Sequence, residues 1–327
     1  MDSPDIEYTI SYRDGLMTKN SELMFASELD QPVRYIERTR NYYLGLGYET
    51  PYIWAHYSDV PFTLLSKPLN KSVLGLVTTA VPFDASKGPQ GPGAPYNAAA
   101  KFYEPFSHSI DEDMDLRIAH VGIDRRNANM EDANCWFPLN AAKRSVDAGR
   151  IESLSKHFYG LPTNRSQRHT LEIDAPLILS KMRADKVDVV VLIPNCPICH
   201  QSQSLLARYL EEAGIPTVIM GAAKDIVEYC GAPRFLYSDL PLGNAAALPD
   251  NPQSQDSNFE LALRLLEGAP GPRTTIQSPL VWAPDPSWKL DYSNLDRLSP
   301  EEILRLREEA EKGRITARDL RVKSVGA

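Results

Sequence analysis

Two rhythms of apolar positions alternate along the chain. "VDVVVLI" (187–193) is β-branched with no polar alternation, which predicts a strand covered on both faces. In "QSQSLLARYLEEAG" (201–214), Leu205, Leu206, Tyr209, Leu210 and Ala213 share one stripe, which predicts a helix. "PTVIMG" (216–221), "AKDIVEYCG" (223–231), "RFLYSDL" (234–240) and "NFELALRLLEGA" (258–269) continue as strand, helix, strand, helix. Upstream, "SVLGLVTTA" (72–80) and "LRIAHVGI" (116–123) read as strands, and "LNAAKRSVDAG" (139–149) as a helix closed by Gly149. "APLILSKMRAD" (175–185) reads as a helix with Pro176 in its first turn, where a missing N–H costs nothing. Strands and helices alternating at this pace predict an α/β fold, a mostly parallel sheet flanked by helices in Rossmann-like layers.

The flanks differ from this core. Residues 1–70 form an aromatic-rich helical and loop extension, with one helix expected within 32–49. The core is expected over 71–275, divisible into α/β lobes of about 71–170 and 171–275. The tail, 276–327, is Pro- and Trp-bearing coil that ends in a charged helix, 299–313, with Ser299 as N-cap and Pro300 at the first helical position. That helix reads as a solvated arm or a subunit contact. "SKGPQGPGAPYN" (86–97) is a loop by its Gly and Pro density. Its "KGPQGPG" resembles a phosphate cradle only in its glycines and lacks the Lys-Ser/Thr ending.

Composition narrows the class. The 327 residues are 43% apolar and 24% charged with a net charge of −8, enough material for a large core. Lys and Arg cluster nowhere, which argues against nucleic acid or an anionic membrane as the main partner. The longest apolar run is too short to span a bilayer, and "MDSPDIEYTISYRDG" is acidic and polar where a signal peptide would be basic and then apolar. A cytoplasmic protein is expected, and four cysteines there point to catalysis or metal rather than structural disulfides.

Two of the four stand in "PNCPICHQ" (194–201), between the end of the buried strand and the next helix. Ligands bind at that edge of open α/β sheets, and a helix N-terminus stabilises a thiolate. C-x-x-C-H is also the c-type haem attachment pattern, but no export signal accompanies it. Zinc would need further ligands. Cys135, His120, His157 or His200 could join Cys196 and Cys199, with Cys135 and His120 the candidate set. Two small core residues would suit Cys230 better than Cys196. Thiol chemistry fits best: one cysteine attacks and its neighbour three positions later resolves the product as a disulfide, with His200 or His157 to move protons. Asn195 and Gln201 flank the motif as candidate substrate ligands.

A second polar cluster, "HVGIDRRNANMEDANCWFPL" (120–139), follows the strand expected at 116–123 and should share the same edge. Asn127 and Asn129 read as loop-capping residues. For Asp124, Asn134 and Cys135 a place in the site is as reasonable as a structural one.

The segments "RIAHVGIDRRNANMEDANCWFPL", "KHFYG", "VDVVVLIPNCPICHQS", "EEAGIPTV" and "APRFLYSDLPLG" together resemble the selenoprotein B family of the glycine, sarcosine, betaine and D-proline reductases, the D-proline branch above all. The resemblance runs from about Leu116 to Gly243. In that family the first position of a U-x-x-C-H-Q motif is selenocysteine, which attacks a substrate carbon and displaces an amine. The resemblance therefore implies that the sulfur of Cys196 attacks and Cys199 resolves. It implies a small amino-acid-like substrate, no bound cofactor, and an external thiol or dithiol reductant. It also implies a protein partner, either carbonyl-bearing (pyruvoyl) or electron-donating, and a homo-oligomer is expected. Cysteine at 196 is a departure, as is Asn244 where histidine is expected in cysteine-containing relatives. Two rival readings remain: a non-redox racemase or lyase pairing Cys135 with Cys196, and a zinc-binding component of a larger complex.

Overall fold

The computed structural model describes residues 28–91, 94, 97–118, 120 and 122–325. Residues 1–27 of the N-terminal extension therefore lie outside the described residues, as do Pro92, Gly93, Pro95 and Tyr96 of the Gly/Pro loop and Ala119 and Val121 of the strand expected over 116–123. The chain divides into two units after Pro32. In the first, Glu28–Asp30 is a turn of 3-10 helix. All that follows concerns the second, Val33–Ala327.

The protein is α/β, with a central, mostly parallel sheet. In chain order its strands are β1 (Val73–Thr78), β3 (Phe106–Ser109), β5 (Ser153–Leu154), β6 (His157–Gly160), β7 (Val189–Ile193), β8 (Thr217–Gly221), β9 (Arg234–Tyr237) and β10 (Thr274–Gln277). β2 (Val81–Pro82) and β4 (Leu116–Arg117) form a separate antiparallel pair. The sheet order is β10-β9-β8-β7-β1-β6-β3, with β5 also on β1 and only β3 antiparallel to its neighbour. From β7 the chain steps outward through β8, β9 and β10, whereas β6 lies on the far side of β1. The direction of winding thus reverses between β1 and β7, the switch point where open sheets of this kind form a crevice.

The helices are α1 (Tyr35–Gly45), α2 (Leu139–Asp147), α3 (Ala175–Ala184), α4 (Pro197–Glu212), α5 (Lys224–Cys230), α6 (Pro252–Gly268) and α7 (Pro300–Val325). β7 explains the layers. Val189, Val191 and Ile193 face a core shared with α2 and α6, while Val190 and Leu192 face one shared with α3, α4 and α5. All five are buried, as an uninterrupted apolar strand requires. Burying each such side chain stabilises the fold by roughly 1.5–3 kcal/mol.

Two expectations are corrected and one is extended. Among the described residues of the run 116–123, only Leu116–Arg117 pairs as a strand, and it lies outside the central sheet. Apolar alternation marks any extended segment with one covered face, whether or not a sheet supplies the cover. Pro176 stands in the first turn of α3, as expected, and that helix is entered through a helical turn Gln167–His169 and a π-helical turn Thr170–Asp174 that run directly into it. The wider π turn accommodates a proline that can neither donate to nor pack against the preceding turn of a regular helix. The tail is more than coil, because β10 adds an outer strand and Trp288 and Tyr292 are buried. The charged helix does start on Ser299, whose Oγ accepts from Glu302 N–H while the Glu302 carboxylate accepts from Ser299 N–H. Among the described residues, no helix is long and apolar enough to cross a membrane.

Candidate active site

Cys196 sits three residues beyond β7 and is the N-cap of α4; Pro197 follows in the first turn, where it needs no partner for an N–H. The cap fixes the motif's geometry. Cys196 Sγ accepts from Cys199 N–H at 3.2 Å, and the two cysteines are joined as a disulfide with Cα atoms 4.8 Å apart. Asn195 N–H donates to Thr79 Oγ1 at 3.2 Å, tying the end of β7 to the end of β1 across the switch point. The pair is less open than its place at the sheet edge implies: Cys196 is 5% exposed and Cys199 is fully buried.

The polar loop closes over this point. Although it does not follow a central strand, it still reaches the sheet's C-terminal edge. A Cβ on Gly122 would stand 2.8 Å from Pro197 Cδ, so only glycine lets the loop pass so close to α4. Tyr292 Oη–H donates to the Gly122 carbonyl, and Asp124 N–H donates to that of Leu242. His120 arrives beside the cysteines: its ring nitrogen and the two sulfurs lie within 4.8 Å of one another. His120 Nδ1 is buried without a hydrogen-bond partner among the described residues. Burial, with the Lys101 and Arg125 cations nearby, pulls the His120 ring down to about 3, so it is neutral at ordinary pH. The Asn195 carboxamide is fully buried, and neither its oxygen nor its nitrogen has a partner among the described residues.

His200 is placed differently from expectation. Its Nδ1 lies 2.8 Å from the Cys196 carbonyl, and its Nε2 accepts from Ala222 and Ala223 N–H at 3.0 and 3.1 Å. Those bonds assign the proton to Nδ1 and leave neither nitrogen for substrate. Burial pulls the ring down to about 4. A Cβ on Gly221 would meet the imidazole at 2.8 Å, so glycine there makes the room. His200 thus holds the Cys196 turn and the start of α5 together. His157 is not brought to the site. It begins β6, at the opposite edge of the sheet, and its Nδ1 pairs with Asp185 at 2.8 Å.

The remaining candidates are occupied by the fold. Asp124 accepts from the N–H of Arg126 and Asn127 and from the Asn127 side chain, capping its own turn. Asp132 is the hub of the next turn: it accepts from Asn134 N–H and Nδ2, from Asp250 N–H, from Gln255 and from the Cys135 thiol at 3.8 Å. Cys135 is fully buried, and burial with the Asp132 carboxylate beside it pushes its thiol well above the ordinary range. Gln201 accepts from Ala55 N–H and donates to Tyr52 Oη, pinning the chain before β1. Asn244 exchanges two hydrogen bonds with the Asn129 backbone, a clamp that needs both an amide donor and a carbonyl acceptor. Cys230 is buried in α5, and burial pushes its thiol up to about 12.

Sequence reading missed Lys101 and Thr79. Thr79 could have been found, since pairing the strand at 72–80 with that at 187–193 puts their ends side by side. Lys101 carries no pattern; it stands in a coil segment that only tertiary folding brings to His120.

Comparison with known proteins gives three relatives. The chain is 29% identical over 223 residues to the D-proline reductase subunit gamma of Acetoanaerobium sticklandii, covering 67% of this chain and 88% of that protein. It is 26% and 27% identical over 214 residues to the gamma subunits of glycine reductase complex component B from Carboxydothermus hydrogenoformans and Symbiobacterium thermophilum. Those alignments cover 63% of this chain but only 48% of either relative. No family model and no solved structure matches the chain.

Proposed function

Because this chain is a homologue of the D-proline and glycine reductase gamma subunits, we propose that it is the thiol-bearing subunit of a reductase that cleaves a carbon–heteroatom bond in a small amino-acid-like substrate. One observation carries the reading: Cys196 and Cys199 lie within bonding distance of each other at the N-terminus of α4, at the sheet's switch point. The Cys196 thiolate attacks the substrate carbon, forming a thioether as the heteroatom leaves with the bonding pair. The Cys199 thiolate then attacks the Cys196 sulfur. The carbon leaves with its electron pair, takes up a proton, and the disulfide forms. An external dithiol returns two electrons and two protons. The departing carbon needs an adjacent electron-withdrawing group, which the carboxyl or carbonyl of an amino-acid-like substrate supplies. Lys101 and Arg125 near His120 supply positive charge for a carboxylate, and the buried Asn195 amide offers it a donor.

The relatives' names, as subunits of reductases, support a protein partner. A thiolate alone does not displace an unactivated amine, so the partner contributes a carbonyl that converts the amine into an iminium, or the substrate itself bears a better leaving group. We favour the second, since sulfur in place of selenium suits an easier bond. The two-cysteine racemase reading gains no support from a Cys135 thiol bonded to Asp132 and held neutral.

The test is a trap. In Cys199→Ser, substrate mass should accumulate on Cys196 and turnover should stop. Turnover at the wild-type rate with dithiols, or an adduct on Cys230, would refute the assignment. The chain alone with a dithiol should leave glycine, sarcosine, betaine and D-proline untouched; release of acetate or 5-aminovalerate would favour the amine-cleaving alternative.

A further inference from the structure

We propose that, once reduced, Cys196 and Cys199 form with His120 a three-donor site for a soft divalent cation such as zinc, and that the disulfide form cannot hold it. This goes beyond the reductase reading and needs only the three donors. Their ligating atoms lie within 4.8 Å of one another. A tetrahedral zinc, with bonds of about 2.3 Å to sulfur and about 2.0 Å to nitrogen, keeps its donors about 3.5–3.8 Å apart, so closure needs only small side-chain movements. The donors are held from different directions. Cys196 and Cys199 occupy the N-cap and first turn of α4, and His120 comes from the loop that Gly122 lets pass against Pro197.

A second observation points to a ligand. His120 Nδ1 is buried and has no hydrogen-bond partner among the described residues. A buried polar atom in that condition costs the fold stability unless something satisfies it. Coordination to a cation would do so. Cys135 does not join the set, because its thiol is turned to Asp132. The four-ligand set that the sequence offered as a rival reading, Cys196, Cys199, Cys135 and His120, is therefore reduced to three protein donors among the described residues, which leaves the fourth position open as in catalytic rather than structural zinc.

Charge explains the dependence on oxidation state. Lys101 and Arg125 surround His120 with positive charge, so a divalent cation is accepted only with two thiolates to neutralise it. Binding releases two protons, one from each thiol, as two metal–sulfur bonds form. A two-electron oxidant, such as the disulfide of an oxidised dithiol, takes one electron from each thiolate. The Cys196–Cys199 bond forms, the cation leaves, and the oxidant takes up two protons as a dithiol. Metal binding and disulfide turnover thus exclude each other.

The experiment titrates the full chain, anaerobically and without substrate, with Co²⁺ alone. The reduced protein should take up one equivalent with thiolate-to-cobalt absorption in the near ultraviolet, which Zn²⁺ abolishes; the disulfide form should take up none. His120→Ala should weaken binding at least tenfold, and Cys135→Ser should leave it unchanged. Equal uptake by the disulfide form, or undiminished affinity in His120→Ala, would overturn the site. X-ray absorption on the zinc-loaded wild type needs no substitution and should count two sulfurs and one imidazole; a shell without sulfur refutes the proposal. Uptake is read without turnover, so a negative result in the Cys199→Ser trap would leave this result standing.

Discussion

The two edges of the central sheet treat buried polar groups in opposite ways. At the N-terminal edge they are paired. Glu211 at the end of α4 receives Arg234 at 2.7 Å, Thr217 N–H and Oγ1, and Thr63 N–H, while Arg234 donates to the Thr63 carbonyl and lies over the Phe62 ring. Asp188 receives Lys67 and Val73 N–H, and Asp185 receives His157 and Tyr159. In these three clusters only Arg234 Nε is left over. At the C-terminal edge, by contrast, both polar atoms of Asn195 and His120 Nδ1 lack hydrogen-bond partners among the described residues. Unsatisfied groups cost stability, and here they stand beside the cysteine pair, Asn195 next to Cys196 in the chain and His120 within 4.8 Å of both sulfurs. The first edge holds the strands and the preceding segment in register; the second carries the Cys196–Cys199 pair.

Glu211→Ala offers the strongest test of that contrast. It leaves the fully buried Arg234 uncompensated and should cost about 3–5 kcal/mol in urea unfolding. A loss under about 1 kcal/mol would mean the N-terminal edge is not held by its ion pair. Acidification should give the next largest effect. Burial keeps His200 neutral in the fold down to about pH 4, against 6.5 when unfolded. Between those values the unfolded chain binds more protons, so stability is complete above pH 6.5 and falls as the pH drops, on the order of 1–3 kcal/mol by pH 4. Asp174 and Asp225, raised to about 6 chiefly by burial, act in the other direction: their contribution is present at low pH and lost as the pH rises towards 6. His200→Gln isolates the first term. Its melting temperature should lie below that of the wild type at pH 7, and the gap should narrow towards pH 4; a constant gap would show that His200 does not titrate this way. Asn195→Leu should have the smallest effect on stability. Replacing an unsatisfied amide with an apolar side chain of similar size should change it by less than about 1 kcal/mol, or raise it, while substrate turnover falls. A loss matching that of Glu211→Ala would erase the distinction between the edges.

Much of this arrangement is legible in the chain. The unbroken β-branching of 187–193 announces a strand covered on both faces, and the C-x-x-C placed between it and an amphipathic helix marks the sheet edge. The glycines at 122 and 221 carried information that pattern reading did not extract: each marks a close approach, one to Pro197 and one to His200. Histidine roles were the least legible. His120, His157 and His200 look alike in sequence, yet a histidine's chemistry depends on what its two nitrogens meet.

Local sequence therefore determined the elements, the two-sided burial of β7, the capping of α4 by Cys196 and the closeness of Cys199, because each depends on residues within a few positions. Tertiary structure alone decided that His120 joins the cysteines, that His200 is bonded at both nitrogens, that His157 lies at the far edge and that Cys135 turns to Asp132. It also decided that Leu116–Arg117 pairs with β2 outside the central sheet. The reason is physical: alternation and period report which side of a segment is covered, but not by what. The partner of a buried nitrogen or sulfur comes from segments far away in the chain, and only the packing of the two layers against the switch point selects it.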